Sequence, residues 1–571
     1  MKSSSTRMRL VVAALAVALI GAACGDSKGS SSPTTQSGSA TTAAAAASTA
    51  PATTTLTPVK GGILTFGQFS SDTGLDPAAT AGGGTVGGNE NAAMYDTLMD
   101  LDHTTGKYVG RTAESMTPNA DFTVWTLKLK PGIKFTDGTD YNADAVKFVQ
   151  DRELKDGNAS VRAQLALYVD TITVTDPLTV TYKLKIGWAG FPYLMSYVPG
   201  MIYSPTAFKK APDAKAFATN PGDAGAGPFK LKSYKAGESV ELERNPNYYG
   251  GDVYLDGLKF VNLNSAQATY DAIKTGTLQA ALLRDPALYA QAQKDGMGLV
   301  DIPQVGGNLM IMNSGIDITC AAATTSGVPA CAGQPDGTKV QTKTATRDIN
   351  VRKAVAAAID PKIVVDRAYG GVGKPDTSPY SNFIYDPKIT PQKYDPTEAK
   401  RLVGLAKAAG WDGKIRLIGG NDPTNVAWTQ SIVPQLTAVG MDVQASNDTP
   451  ITGVVAKVLT QRDFDLANWG LAMSDESDGN YNQMLISFGC ATKRYGYCSP
   501  EMDAGIEALR VADTDAKKVA AYKTISEIWI RDAPALVITY IPQAVITNPK
   551  VHGINRNAQA ITLFDKTWIA K

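Results

Sequence analysis

Histidine is scarce in this chain of 571 residues, which contains only His103 and His552. Catalytic zinc sites and zinc-peptidase motifs need two or three histidines at close spacing, and these two are separated by most of the chain. A Ser-His-Asp triad would have to use one of them, and neither lies in a recognisable catalytic setting. We therefore expect no enzymatic activity, no metal site and no cofactor.

An excess of charge of either sign is also missing. The chain has 55 Lys and Arg residues against 54 Asp and Glu residues, and its basic residues form no cluster. Proteins that bind nucleic acid carry such clusters. Nucleic acid is therefore excluded as a partner.

Long apolar runs are absent after residue 20, and the run Leu10–Ile20 is too short to cross a bilayer, which takes about 20 residues. This run follows three basic residues and ends in small ones, as in an export signal. Residues 21–24 (GAAC) resemble a bacterial lipobox, although Gly21 stands where Leu is usual. We predict a lipoprotein signal peptide over residues 1–23 and lipid attachment at Cys24. An ordinary secretory signal with an incidental cysteine is the alternative.

Large side chains are missing from residues 25–58, which consist mainly of Ser, Thr, Ala and Gly. Such a segment cannot bury enough apolar surface to offset the entropy lost on ordering. We predict that residues 24–58 are a lipidated cysteine and a disordered tether with a reach of roughly 30 Å. The acyl chains would hold the protein at the outer face of the bacterial cell membrane, or in the periplasm.

Four cysteines remain after Cys24, in two close pairs. An exported protein meets an oxidising environment, so we predict the disulfides Cys320–Cys331 and Cys490–Cys498. A zinc site made from all four thiolates is the alternative, although neither pair has C-x-x-C spacing.

Strand and helix patterns alternate along the rest of the chain. Apolar and polar residues alternate over 124–130, and Ile133 and Phe135 resume this pattern after a Pro-Gly turn, which predicts two paired strands. Asp395 and the following Pro predict the start of a helix, and a strand-helix-strand pattern follows over 414–446. These patterns predict an α/β fold.

Five blocks of the sequence are similar to extracytoplasmic solute-binding proteins of family 5, the peptide/nickel type of ABC transporter substrate-binding lipoprotein. They occur in the family's order over roughly residues 60–550. The blocks are Ala113–Phe148, Gly225–Gly251 (GPF, then RNPNYY), Val351–Asp360, Tyr394–Trp411 and Asp463–Gly470.

The resemblance implies a two-lobed, periplasmic-binding-protein-like clamshell of type II, of the large class with an extra subdomain. Lobe I would take residues 59–300, with the extra subdomain at about 100–220, and lobe II residues 301–535. Residues 536–571 would return to lobe I. Residues 317–348 exceed the usual family length and predict a surface loop pinned by a disulfide.

The family's function would be to capture a small solute between the lobes and to deliver it to an ABC permease and its ATPase subunits. A short peptide is the favoured ligand; sugars and opine-like compounds remain open, and nickel is disfavoured by the scarcity of histidine. We expect a monomer. The alternatives are a receptor for sensing or envelope assembly without import, which neighbouring permease genes would distinguish, and an extracytoplasmic peptidase.

The resemblance also implies where a peptide would bind. In peptide-binding relatives an Asp shortly after a strand of lobe II holds the ligand's ammonium group, and the matching stretch offers Asp475 and Asp478. Trp469 is a further candidate, although it lies six positions before Asp475. Phe69 and Ser70, at the end of the first strand, are the remaining candidates.

Overall fold

The computed structural model describes residues 56–571 except 71–73, 81–82, 158, 264, 303, 306–308, 326, 382 and 472. The predicted signal peptide, Cys24 and nearly all of the predicted tether lie outside these residues. Thr57–Lys571 form one compact unit.

The larger of the two main sheets has seven strands, and we call the region around it lobe I. Its central strand pairs in parallel with a neighbour on each side, and the other pairs are antiparallel. Buried Leu64 and Phe66 anchor the central strand in the core. In spatial order the strands are Gly298–Asp301, Ala544–Thr547, Ala280–Leu283, Ile63–Gly67, Gly257–Val261, Ser239–Arg244 and Phe229–Lys235.

A five-stranded sheet forms the second region, which we call lobe II. One strand pairs in parallel with both of its neighbours, and the two strands at the other end join antiparallel. In spatial order the strands are Asp442–Thr449, Lys414–Gly420, Leu466–Trp469, Leu309–Met312 and Ala535–Val537. Two mixed sheets in separate lobes agree with the α/β, two-lobed fold expected from the sequence.

A third, antiparallel sheet contains the strands Ala113–Pro118, Val124–Leu129, Thr179–Leu184 and Val169–Asp176, in that order. The alternation over 124–130 therefore does mark a strand. The predicted partner strand at Ile133 and Phe135 is wrong. Both side chains are buried, but only an isolated bridge between Lys134 and Asp140 forms. The turn at Asp137-Gly138 reverses the chain after too few residues to extend a ladder.

Short strand pairs complete the sheet structure. They are Met99–Asp102 with Lys107–Gly110, Gln304–Val305 with Met473–Ser474, Asp317–Thr319 with Lys339–Gln341, Lys374–Pro375 with Thr539–Tyr540, Val551–His552 with Trp568–Ile569, and Asn555–Arg556 with Thr562–Leu563.

Helices pack on both main sheets, and many begin at an Asp, Asn, Ser or Thr whose side chain accepts a backbone N–H of the first turn. Asp395 does so as expected, for the N–H groups of Thr397 and Glu398. The α-helices are Gly88–Tyr95, Ala143–Asp156, Ala159–Tyr168, Pro205–Lys210, Ala214–Thr219, Ala266–Thr275, Pro286–Lys294, Ala322–Thr325, Ile349–Ala358, Pro361–Ala368, Pro396–Ala408, Pro423–Ala438, Ile451–Val455, Ser477–Phe488, Pro500–Arg510 and Asp515–Asp532. None of the helices in the described ranges combines the length and apolar composition that crossing a bilayer requires.

The chain passes from lobe I to lobe II between Asp301 and Leu309, and it returns between Val537 and Ala544. Two segments of the chain therefore connect the main sheets. Such paired crossings are the usual place for a hinge.

Both predicted disulfides are formed, Cys320–Cys331 and Cys490–Cys498. All four thiols are used, so the alternative zinc site is not formed. The first disulfide packs with Ile316, Ile318 and Val328 in a small apolar cluster separate from the main cores.

Candidate functional site

A cleft of about 800 Å³ lies between lobe I and lobe II. Its lobe I wall contains residues 68–70 and 284–286, which follow two adjacent parallel strands. Its lobe II wall contains Asp422 and Asn468, at the carboxyl ends of another parallel pair. Ligands of α/β proteins bind at this end of parallel strands. The cleft is therefore our candidate functional site.

Phe69 and Arg284 form the lobe I wall together. The Phe69 ring is 47% exposed, and the Arg284 guanidinium carbon lies 5.1 Å from the centre of that ring. Ser70 lines the same wall, and its hydroxyl donates to the Thr85 carbonyl at 2.5 Å. The structure thus brings two sequence-predicted residues, Phe69 and Ser70, into the cleft.

Arg284 carries a charge that the described part of the chain leaves uncompensated. It makes no hydrogen bond or ion pair to any described residue, and its pKa is lowered because burial removes water from the guanidinium. The adjacent Asp285 is used elsewhere, since it accepts the Leu288 N–H at 2.9 Å and caps the helix Pro286–Lys294. A half-buried cation therefore faces the cleft.

The lobe II wall holds a chain of three hydrogen-bonded side chains, which we call the amide relay. Asn425 Nδ2 donates to Asp422 Oδ2 at 2.6 Å, and Asn468 Nδ2 donates to Asn425 Oδ1 at 2.5 Å. Because a carboxylate only accepts, Asp422 fixes which way the Asn425 amide points, and Asn425 in turn fixes Asn468. The Asn468 carbonyl oxygen, at the end of this relay, is buried and accepts no hydrogen bond from a described residue.

Two buried polar atoms of cleft residues have no hydrogen-bond partner among the described residues. They are Nε2 of Gln68 on lobe I and Oδ1 of Asn468 on lobe II. Leaving a buried donor or acceptor unpaired costs about 1–3 kcal/mol. A bound ligand that offers an acceptor to one and a donor to the other would recover that free energy.

Asp475 lies outside this cleft, in a cluster with His103 and Arg556. Its Oδ2 accepts from Arg556 Nη2 at 2.7 Å and lies 3.3 Å from His103 Nδ1. Its side chain is 10% exposed and that of Arg556 8%. Burial raises the pKa of Asp475, but the hydrogen bond from His103 and the charge of Arg556 outweigh burial and hold it below its usual value. The chain itself therefore supplies the cation for Asp475, the Arg556 guanidinium, together with a hydrogen bond to His103.

Asp478 is also paired within the chain. It accepts from the Tyr108 hydroxyl at 2.7 Å, and Lys518 Nζ lies 3.8 Å from the same oxygen. Asp475 and Asp478 line a space of about 10 Å³, which has room for about one water molecule. Asp478 also lines an open cavity of about 520 Å³ beside Tyr385 and Lys518, which Asp475 does not reach. No solute of peptide size therefore fits beside Asp475 in this conformation.

Trp469 ends the strand Leu466–Trp469 and packs, half-buried, against the main core. The adjacent Asn468 lines the cleft instead. The five predicted ligand-binding residues thus fall into two in the cleft, two in the Asp475 region and one in the core beside the cleft.

Sequence reasoning missed Arg284 and the amide relay. The signal for Arg284 was a basic residue directly after the apolar run 280–283 and before a capped helix. In the described ranges, no group of three or more His, Cys, Asp or Glu side chains is arranged to hold a metal ion.

The sequence and the fold were compared with known proteins. Residues 107–492 match the model of the bacterial extracellular solute-binding proteins, family 5 (middle). The chain is 25% identical over 462 residues to the glutathione-binding protein GsiB of Pectobacterium atrosepticum, covering 77% of this chain and 82% of the relative. It is 25% identical over 500 residues to di/tripeptide-binding protein 2 of Pseudomonas aeruginosa, covering 82% and 87%.

Solved structures share the fold at lower sequence identity. HbpA2 of Haemophilus parasuis superposes with a TM-score of 0.72 at 18% identity, covering 89% of this chain and all of that one. The oligopeptide-binding protein AppA of Bacillus subtilis, solved with a nonapeptide, superposes with a TM-score of 0.67 at 19% identity, covering 90% and 100%.

Proposed function

The chain belongs to the bacterial extracellular solute-binding proteins of family 5, and we propose that it captures a short peptide in the cleft between its lobes and delivers it to an ABC import permease. Proteins of this family bind and release solutes rather than transform them, so the chain is a receptor and not an enzyme. The peptide is the part of the proposal that the relatives' names support, since two of them are named for glutathione and for di- and tripeptides.

The observation that carries the proposal is the cleft itself. Its volume of about 800 Å³ is typical of small-molecule sites. Its lining includes an exposed aromatic ring, a half-buried cation and two side-chain amides that each have a buried atom without a partner among the described residues. A peptide offers charged termini, carbonyls and N–H groups to such walls. We propose Phe69 and Ser70 as ligand contacts.

We propose the lobe boundaries at the two crossings described above, with the crossings as the hinge and the four-stranded sheet as part of the extra subdomain. Closure of the lobes would remove water from the ligand and strengthen its polar contacts. We propose that the receptor acts as a monomer.

The test combines native mass spectrometry with calorimetry. Protein purified from its own organism should carry a solute of peptide mass, and titration with di- and tripeptides, glutathione included, should show saturable binding at one site. Small-angle scattering should show compaction on binding. Retention of a non-peptide solute, with no peptide binding, would contradict the peptide assignment, and release of cleavage products would favour the peptidase.

Asp475 and Asp478 remain proposed contacts of the ligand's ammonium group, on the family resemblance alone. The ammonium would have to join or displace Arg556, because that guanidinium lies against Asp475 in the present conformation. If Asp475 binds the ammonium, Asp475→Asn weakens binding of free peptides but not of N-acetylated ones.

We propose, finally, that the extracytoplasmic receptor is held at the membrane by lipid on Cys24. The supporting observation is the sequence of residues 1–24, with a positive start, an apolar run and GAAC. Metabolic labelling with an alkyne fatty acid should label the wild type and not Cys24→Ser. Label retained on the variant would contradict the anchor.

A further inference from the structure

Arg284 is the cleft residue whose chemistry points to a particular ligand group. Its guanidinium is half-buried, stacked on the Phe69 ring at 5.1 Å and without an ion-pair partner in the described part of the chain. Charged side chains that are removed from water are nearly always paired, because an unpaired buried charge loses hydration without compensation. A guanidinium has five N–H donors in a planar fork that fits a carboxylate.

The carboxylates closest in sequence and in the cleft do not supply the missing charge. Asp285 caps its own helix through the Leu288 N–H. Asp422, on the opposite wall, caps the helix Pro423–Ala438 through the Asn425 N–H at 3.0 Å and starts the amide relay. Each carboxylate thus accepts hydrogen bonds from the helix that it caps, and neither forms an ion pair with Arg284.

We propose that Arg284 binds a carboxylate of the ligand from lobe I, while the Asn468 carbonyl accepts an N–H of the same ligand from lobe II. This inference rests on the proposed function and specifies the ligand class, a solute with a free carboxylate and an N–H donor beyond it. A ligand held in this way contacts both lobes through fixed polar groups, so binding and closure are coupled.

The amide relay determines that lobe II offers the ligand a hydrogen-bond acceptor and not a donor. Asn468 is 5% exposed, and its amide cannot turn to present Nδ2 without losing the hydrogen bond to Asn425. It therefore selects a donor, as an ammonium or a peptide N–H provides, and disfavours a second carboxylate. The two walls together define which end of the ligand meets which lobe.

The experiment uses one tripeptide library in two forms, free acids and C-terminal amides, with the full mature protein. Native mass spectrometry should show that the wild type retains acids over amides by roughly 10- to 150-fold, the range of one charge-assisted hydrogen-bonded pair. Arg284→Gln should reduce that preference to about one. Lys294→Gln is the matched control, because it removes a charge from the exposed end of the adjacent helix Pro286–Lys294, outside the cleft. Arg284→Lys, which keeps the charge without the planar fork, should fall between the two.

The outcomes separate this inference from the function on which it rests. Peptides that bind with equal affinity as acids and amides, or an acid preference that survives in Arg284→Gln, would overturn the inference and leave peptide binding intact. If no peptide binds, the solute that co-purifies and added succinate or acetate serve as the probes. An anion retained by the wild type and lost in Arg284→Gln would then support the role of Arg284, while the peptide assignment would be wrong. If Arg284→Gln changes the binding of none of these carboxylates, the inference is wrong.

Discussion

Arg284 in the cleft and Asp475 in its cluster are both charged side chains held away from bulk water, but only Asp475 has a counter-charge among the residues that the structure describes. Asp475 is enclosed by His103 and Arg556, whereas the Arg284 guanidinium lies against the Phe69 ring and pairs with no described carboxylate. Folding alone therefore pairs the charge of Asp475. The charge of Arg284 would be paired only when a ligand binds.

A binding wall differs from a structural contact of the same residue types in what it joins and in the space that it faces. The Asp475 cluster joins three segments that are far apart in sequence, near residues 103, 475 and 556, and leaves a space of about 10 Å³. The Arg284 wall joins two neighbouring strand ends and faces about 800 Å³. The stability of the ligand-free protein should therefore depend on the first, and the affinity for a ligand carboxylate on the second.

The largest expected effect is the loss of stability on breaking the Asp475 cluster. Asp475→Asn leaves the Arg556 guanidinium buried without its carboxylate, and removing one partner of a buried ion pair costs about 3–5 kcal/mol. We expect the free energy of unfolding, measured with guanidinium chloride, to fall by about 3 kcal/mol. Arg284→Gln in the ligand-free protein should change it little, because no ion pair is lost.

Asp252→Asn is the matched control for that loss. Asp252 pairs with Lys60 at 2.7 Å, but its side chain is 64% exposed, and such surface pairs contribute little. Equal losses of stability in Asp475→Asn and Asp252→Asn would show that the Asp475 pair behaves as a surface contact, contrary to this prediction.

The pH dependence of the same difference should follow from the lowered pKa of Asp475. An acid whose pKa is lower in the folded state stabilises the fold above its unfolded pKa, and this contribution is lost as the pH falls through the folded value. The difference in unfolding free energy between wild type and Asp475→Asn should therefore have its full value at pH 7. It should shrink as the pH falls below the usual pKa of a carboxyl group. Denaturation midpoints at several pH values give this difference. A difference that widens on acidification would contradict the direction of the pKa.

The sequence was most informative where short-range patterns decide the structure. Alternation placed the strand Val124–Leu129, Asp395 marked a helix start, and cysteine spacing gave both disulfides. In each case the cause lies within a few residues. The predicted strand at Ile133 was wrong, because alternating residues can be buried without pairing in a sheet, which depends on a partner strand.

Candidate site residues were harder to find because their role depends on long-range pairing. Asp475 and Arg284 are both single charges next to a strand or turn in the sequence. Only the fold shows that Arg556, 81 residues later, neutralises the first and that no described residue neutralises the second. Phe69 and Ser70 were candidates because the family resemblance implies that the first strand ends at the cleft, and both residues do line it.

A smaller effect should come from loosening the amide relay. Asn425→Ala removes the side chain that fixes the Asn468 amide, so the Asn468 carbonyl is no longer held for a ligand donor. One ordinary hydrogen bond contributes about 0.5–1.5 kcal/mol, so peptide affinity by calorimetry should fall roughly 2- to 12-fold. The acid-over-amide preference should persist, because Arg284 is untouched. Loss of that preference would show that the two walls do not act separately.

The smallest expected effect sharpens the role of the ring beside Arg284. Phe69→Leu keeps an apolar side chain and removes the π-face on which the guanidinium lies. A partly exposed cation–π contact contributes about 0.5–1 kcal/mol, so affinity for a free-acid peptide should fall roughly 2- to 5-fold, as the guanidinium loses its fixed position. In Arg284→Gln the same Phe69→Leu change should add little, since the contact is already gone, and a double-mutant cycle measures this coupling. If the affinity losses of Phe69→Leu and Arg284→Gln are additive in the double variant, Phe69 contacts the ligand directly and does not position Arg284.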